Sequence, residues 1–234
     1  MKRIITIFLF LKIGLASGQP VNLYTFPEIV NQGPTITSFV PDGWTIADSA
    51  TGDLNGDNEM DMAFVLKSND SLITFTRLEK QGEVFVEVNR TEKYPRSILL
   101  IVFRTPHTNN FSLIEQSNSI IIGQKTKIEI DSSFLKIEYS SNDSDLNYSS
   151  NSIYYFHYQN EQFLLTKVDR FTLNGIWTEE LFMDFTKQKM RLSKAKINGG
   201  KADTVWKDLD NIQPKTMKIF ERPFIWYIID GIMI

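Results

Sequence analysis

The sequence predicts an all-β protein, mainly antiparallel meander and hairpins, arranged as a sandwich or a partial propeller-like sheet with one or two short helices. Three observations carry this. Apolar and β-branched runs recur at roughly 8–12-residue spacing with turn residues between them. No segment sustains a helical period for more than about two or three turns. The stretch SILLIVFR at 97–104 is almost continuously apolar, as expected of a strand buried on both faces.

Taken in order, the 234-residue chain opens on a basic Met1-Lys2-Arg3, an apolar run to Ala16 and small residues at Ala16 and Gly18. That pattern predicts a signal peptide over 1–18, cleaved before Gln19, and a single exported β-rich domain over 19–234. No other stretch is long and apolar enough for a transmembrane helix. The chain has no Cys, so disulfides and thiol catalysis are excluded and stability must come from packing or a bound metal.

Prolines at 20, 27 and 34 make 19–32 an irregular lead-in. A helical turn is expected at 35–40. Pro41-Asp42-Gly43 then turns the chain into a strand from Trp44 to Thr51. An acidic loop at 53–61 feeds a second strand at 60–67, ended by a turn at Asn69-Asp70-Ser71. Strands are expected at 72–78, 84–88, 97–104, 111–115 and 120–123. Hairpins follow at 125–131 with 134–140, and at 153–158 with 162–172, the latter turning at Asn160-Glu161. The Ser/Asn/Asp-rich stretch 141–151 reads as a surface loop. A third pair is expected at 177–185 and 189–197, then a short helix at 202–210. The apolar run 224–229 reads as a last strand, either central or an edge open to a partner chain.

The acidic loop is the strongest chemical signal. Asp53, Asn55, Asp57, Glu59 and Asp61 place an oxygen-bearing side chain at every second position, with Gly56 and Asn58 between them. Gly and Asn tolerate the left-handed conformations of a tight loop. Between Gln19 and Leu66 there are seven acidic residues and no Lys or Arg, whereas the rest of the mature chain is nearly balanced. Clustered carboxylates repel unless a cation joins them. Hard, oxygen-seeking Ca²⁺ suits this donor set better than Mg²⁺, which demands a stricter octahedron. The expected cofactor is thus one structural Ca²⁺ held by Asp53, Asn55, Asp57, Glu59 and Asp61, with Glu59 contributing its main-chain carbonyl. The competing reading is an Asx-rich turn without metal. Phe64 occupies the position where an EF-hand carries its bidentate Glu, so this is not an EF-hand.

The strand–loop–strand pattern resembles the calcium site of FG-GAP and VCBS-type repeats, as in integrin-like propeller blades. Phe39-Val40-Pro41-Asp42-Gly43-Trp44, Gly52-Asp53-Leu54-Asn55-Gly56-Asp57, Asp61, the run 96–102 and the tyrosine-rich 154–163 together resemble a group of bacterial secreted proteins. The resemblance implies an exported, β-rich architecture. The chain departs from that group at Asn58, where Gly is usual, and lacks its Gly-rich segment near 140–150.

No catalytic residue is assigned. His107 reads as a solvated turn residue and His157 as packed on a sheet face. Glu179 and Glu180 are adjacent on a strand and point to opposite faces, which makes a poor acid/base pair, with Asp184 or without it. No basic stripe marks a nucleic-acid partner. Among the aromatics Tyr148, Tyr154, Tyr155, Tyr158, Trp177 and Trp206, an exposed cluster would mark a face for sugar or protein. The expected role is a non-catalytic interaction or envelope module with an unidentified protein partner. The alternatives are a periplasmic immunity or inhibitor-type protein that binds a toxin, and a hydrolase assembled from distant carboxylates.

Overall fold

A computed structural model describes residues 24–73, 77–81, 84–88, 94–121, 126–144, 147–220, 223–229 and 231–234. The expected leader at 1–18 and residues 122–123 of the strand expected at 120–123 lie outside these residues; Ile120 and Ile121 are buried but belong to no strand. The elements are β1 (Gln32–Gly33), a 3₁₀ turn at Ile36–Phe39, β2 (Trp44–Gly52), β3 (Asp61–Ile73), β4 (Arg77–Gln81), β5 (Val84–Val88) and β6 (Tyr94–Arg104). They continue with β7 (Phe111–Ser117), β8 (Thr126–Asp131), β9 (Phe134–Asp143), β10 (Tyr148–Gln159), β11 (Gln162–Asn174) and β12 (Trp177–Asp184). The last are β13 (Lys189–Lys196), β14 (Asp203–Asp208), α1 (Met217–Phe220), β15 (Tyr227–Ile229) and β16 (Ile232–Met233).

All strand pairs are antiparallel. One sheet has the order β1-β7-β6-β3-β2, and the other is a seven-stranded meander, β14-β13-β12-β11-β10-β9-β8. The meander follows from its turns. Ser132 and Ser133 have φ of 50° and 65°, and Asn160 and Glu161 have 49° and 62°. Two successive positive φ values match the twist of a two-residue hairpin.

The centre of the five-stranded sheet, β3 and β6, is buried on both faces, as the run at 97–104 demands. On β6, Leu99, Ile101 and Phe103 join the main core between the sheets, with Ala63 and Val65 of β3. Ile98, Leu100 and Val102 point the other way, with Phe64 and Leu66, into a second cluster. That cluster also holds Phe39 of the 3₁₀ turn and Trp44 of β2, and Phe26 and Ile29 of the irregular lead-in pack against it as a lid. The main core also holds Ile137, Tyr154, Phe156, Leu165, Val168, Leu181 and Met183 of the meander. Phe220, Ile228 and Ile234 of the C-terminal segment close it.

The two sheets meet at the edges of β2 and β8. A bulge in β2, between Ile46 and Asp48, reverses its alternation. Trp44 and Ile46 therefore lie opposite residues of the outer cluster's face, while Asp48, Ala50 and Gly52 lie opposite Val65, Ala63 and Asp61. The Asp48 carboxylate then accepts the main-chain N–H of Ile128 on β8 at 2.9 Å.

Four expectations are corrected. The turn at Asn69-Asp70-Ser71 is absorbed into β3, where it appears as a register irregularity against β6. Most of the loop expected at 141–151 is strand, because β9 and β10 pair out to Asp143 and Tyr148. The helix expected at 202–210 is strand β14, held by pairing with β13. The run 224–229 is no central strand. Only Tyr227–Ile229 is extended, and it pairs with β16 in a separate two-stranded sheet.

Candidate metal loop

The loop connects two strands whose last paired residues are Gly52 and Asp61. Its turn is made by Gly56 and Asn58, with φ of 81° and 65°. The departure from Gly at Asn58 is therefore accommodated in the left-handed region that Asn tolerates.

Two residues anchor the loop. Leu54 plugs the main core. Asp61 has no exposed surface, and its two oxygens accept the N–H of Leu54 and of Arg104, each at 3.0 Å. Asp61 thus ties the start of the loop to the end of β6. Burial pushes its carboxyl up to about 6, opposed by those two N–H donors and reinforced by the charges of Asp57 and Asp53. The sequence pattern placed Asp61 in the loop, but nothing local in it identifies Arg104 as a partner. Leu54, an apolar residue between two polar ones, is the loop's local signal for a core plug.

The remaining side chains form successive Asx turns. Asp53 accepts the N–H of Gly56 at 2.7 Å and of Asn58 at 3.0 Å. Asn55 Oδ1 accepts the N–H of Asp57 at 3.0 Å. Asp57 Oδ1 accepts the N–H of Glu59 at 2.8 Å, and its Oδ2 accepts the Asn55 amide at 2.9 Å. The donor chemistry fits a hard cation: four carboxylates, those of Asp53, Asp57, Glu59 and Asp61, and the Asn55 amide oxygen lie on one short loop. In this conformation the oxygens of Asp53, Asn55 and Asp57 serve the loop's own donors. Among the described residues, no group of three or more acidic, His or Cys side chains is arranged to hold a metal.

The other candidates lie apart from the loop and from one another. Glu179 and Glu180 point to opposite faces and pair with Lys194 at 2.8 Å and Arg191 at 3.4 Å. Asp184 is buried, and one of its oxygens accepts the Thr186 hydroxyl and the N–H of Thr186 and Lys187. Burial raises its carboxyl, but the Thr186 hydroxyl, the Lys187 N–H and the charges of Lys167 and Lys187 together outweigh it and hold the group below the usual range. His107 is exposed in the turn after β6, at a φ of 61°. His157 is half-buried on the meander's outer face, stacked near Phe134 with centroids 4.8 Å apart. Burial, then the Lys167 charge, lowers its pKa. A depression of about 230 Å³ on that face is lined by Asn151, Ile153, Asp169, Phe171, Glu180 and Arg191, among others. It brings together carboxylates and guanidinium groups, and no nucleophile–base pair.

The aromatics do not form one platform. Tyr154 is fully buried, while Trp177 and Trp206 are 49 % and 59 % exposed. Trp177 lies opposite Lys196 and Trp206 opposite Arg191, which are on alternate faces of β13. Comparison with known proteins adds no relative: no family model, no curated protein and no solved structure matches the chain. Among the described residues, no helix is long and apolar enough to cross a membrane.

Proposed function

We propose that this chain is a non-catalytic, exported interaction or envelope module whose loop at 53–61 takes one structural Ca²⁺. The observation that carries the metal reading is the buried Asp61 carboxylate. It has main-chain N–H partners, and its charge is further disfavoured by Asp53 and Asp57 on the same loop. A cation at Asp53, Asn55, Asp57, Asp61 and the Glu59 carbonyl offsets that repulsion and fixes the turn between β2 and β3. Asp61 also bonds the end of β6, so a cation there would brace three strands of one sheet. The non-catalytic reading is supported by the acids: Glu179 and Glu180 are separately ion-paired, and Asp184 caps its own turn. Export rests on the pattern of residues 1–18.

Calorimetric unfolding with calcium and with chelator tests the metal. Ligand that binds only the folded state raises the transition temperature with its concentration. The expected result is a higher transition in calcium, with the difference abolished in Asp57→Ala. Identical transitions in both conditions overturn the calcium reading.

A further inference from the structure

The two large sheets have four edges among the described residues. Those of β2 and β8 are turned toward each other, joined by the Asp48–Ile128 bond. β1 has two residues. The fourth edge, β14, is six residues long and contains no proline. Within its sheet β14 pairs with β13 alone. Val205 is 42 % exposed and Trp206 59 %. A regular, partly apolar edge is a template for another strand.

Its hydrogen-bond phase can be read. The Leu209 N–H donates to the Gln188 carbonyl at 3.0 Å, just beyond the paired Lys189 and Asp208. Opposite residues of an antiparallel pair alternate between bonded and non-bonded. Asp203, Val205 and Lys207 are therefore bonded to β13, and Thr204 and Trp206 turn their N–H and C=O groups outward.

We propose that β14 pairs antiparallel with β14 of a second copy of this chain, centred on Val205, which joins the two seven-stranded meanders into one sheet. In that register Thr204 exchanges both main-chain bonds with Trp206 of the partner subunit, and Trp206 with Thr204 of the partner subunit. Val205 meets its own copy. Asp203 stands opposite Lys207 of the partner subunit, twice by symmetry, in the non-bonded positions where side chains approach most closely. The strand's own charges select this register. A slip of one residue puts opposed side chains on different faces. Centring on Thr204 or Trp206 instead loses both Asp–Lys pairs. The interface deepens the interaction reading by naming a partner, and it is independent of the calcium loop.

Light scattering across a dilution series of the full chain reads the mass directly. The mass should rise from one chain toward two with concentration. Lys207→Asp, which sets like charges opposite each other, should move that transition about tenfold or more upward. Asp203→Lys combined with Lys207→Asp should restore it. Hydrogen exchange on the unaltered protein gives a second reading: the Thr204 and Trp206 amides should slow as concentration rises. A monomer at every concentration overturns the proposal. So does a dimer that neither variant shifts, or exchange at those two amides that ignores concentration.

Discussion

The carboxylate of Asp48 in β2 accepts the main-chain N–H of Ile128 in β8 at 2.9 Å and so joins the edges of the two sheets. Its other oxygen accepts the N–H of the neighbouring Ser49 at 2.9 Å. Ile128 is buried, so its N–H has no easy exchange for water. Asp48→Ala leaves that donor unsatisfied, which should cost about 1–3 kcal/mol. Urea unfolding should show a lower midpoint at unchanged slope, and Asp48→Asn, which keeps an acceptor, should lose less. An alanine variant as stable as the parent would mean the seam does not depend on this bond.

The same seam is closed further along by Gly52. A Cβ there would lie 2.5 Å from Ile130 Cγ2 and 3.2 Å from its Cβ. Gly52→Ala forces β2 and β8 apart at a site where the backbone of one touches a branched side chain of the other. The expected cost is about 1–3 kcal/mol. Ile130→Ala removes the nearest atom, so the double variant should recover part of the loss in a mutant cycle. Strict additivity of the two single effects would refute the contact.

What could be read in advance divides by range. Turn chemistry fixed the hairpins at Ser132-Ser133 and Asn160-Glu161, because φ > 0 is a local demand. The double-faced burial of β6 was legible because its composition leaves no polar face. The lid formed by Phe26 and Ile29 was not, since prolines say where regular structure stops and not what the chain covers. The residues 202–210 fit a helical turn as well as a strand. Pairing of Val205 with Leu192 and Trp206 with Arg191 decides it, and no local signal contains that register. The turn residues Asn69 to Ser71 mark a local break, the register irregularity between Lys67 and Leu72, but pairing with β6 resumes at Leu72 and keeps them within one strand. In the loop, alternation of oxygens was visible, whereas Asp61's bond to Arg104 spans 43 residues and belongs to the tertiary fold.

Asp61 should give the metal-free protein a distinctive pH dependence. Its carboxyl is pushed from an ordinary 3.8 up to about 6 in the fold, chiefly by burial. Between those values the folded chain holds a proton that the unfolded chain has released. Stability therefore falls as pH rises through that window and is flat above it, by about 3 kcal/mol for a shift of this size. In chelator, the unfolding free energy should decline from pH 4 to 6. Asp61→Asn cannot ionise, so its decline over the window should be smaller by that amount. The variant should still be weaker than the parent at the acid end, because one amide oxygen replaces two acceptors for the Leu54 and Arg104 donors. Equal slopes in parent and variant would show that Asp61 ionises as freely in the fold as out of it, and the buried geometry described for it would then be wrong.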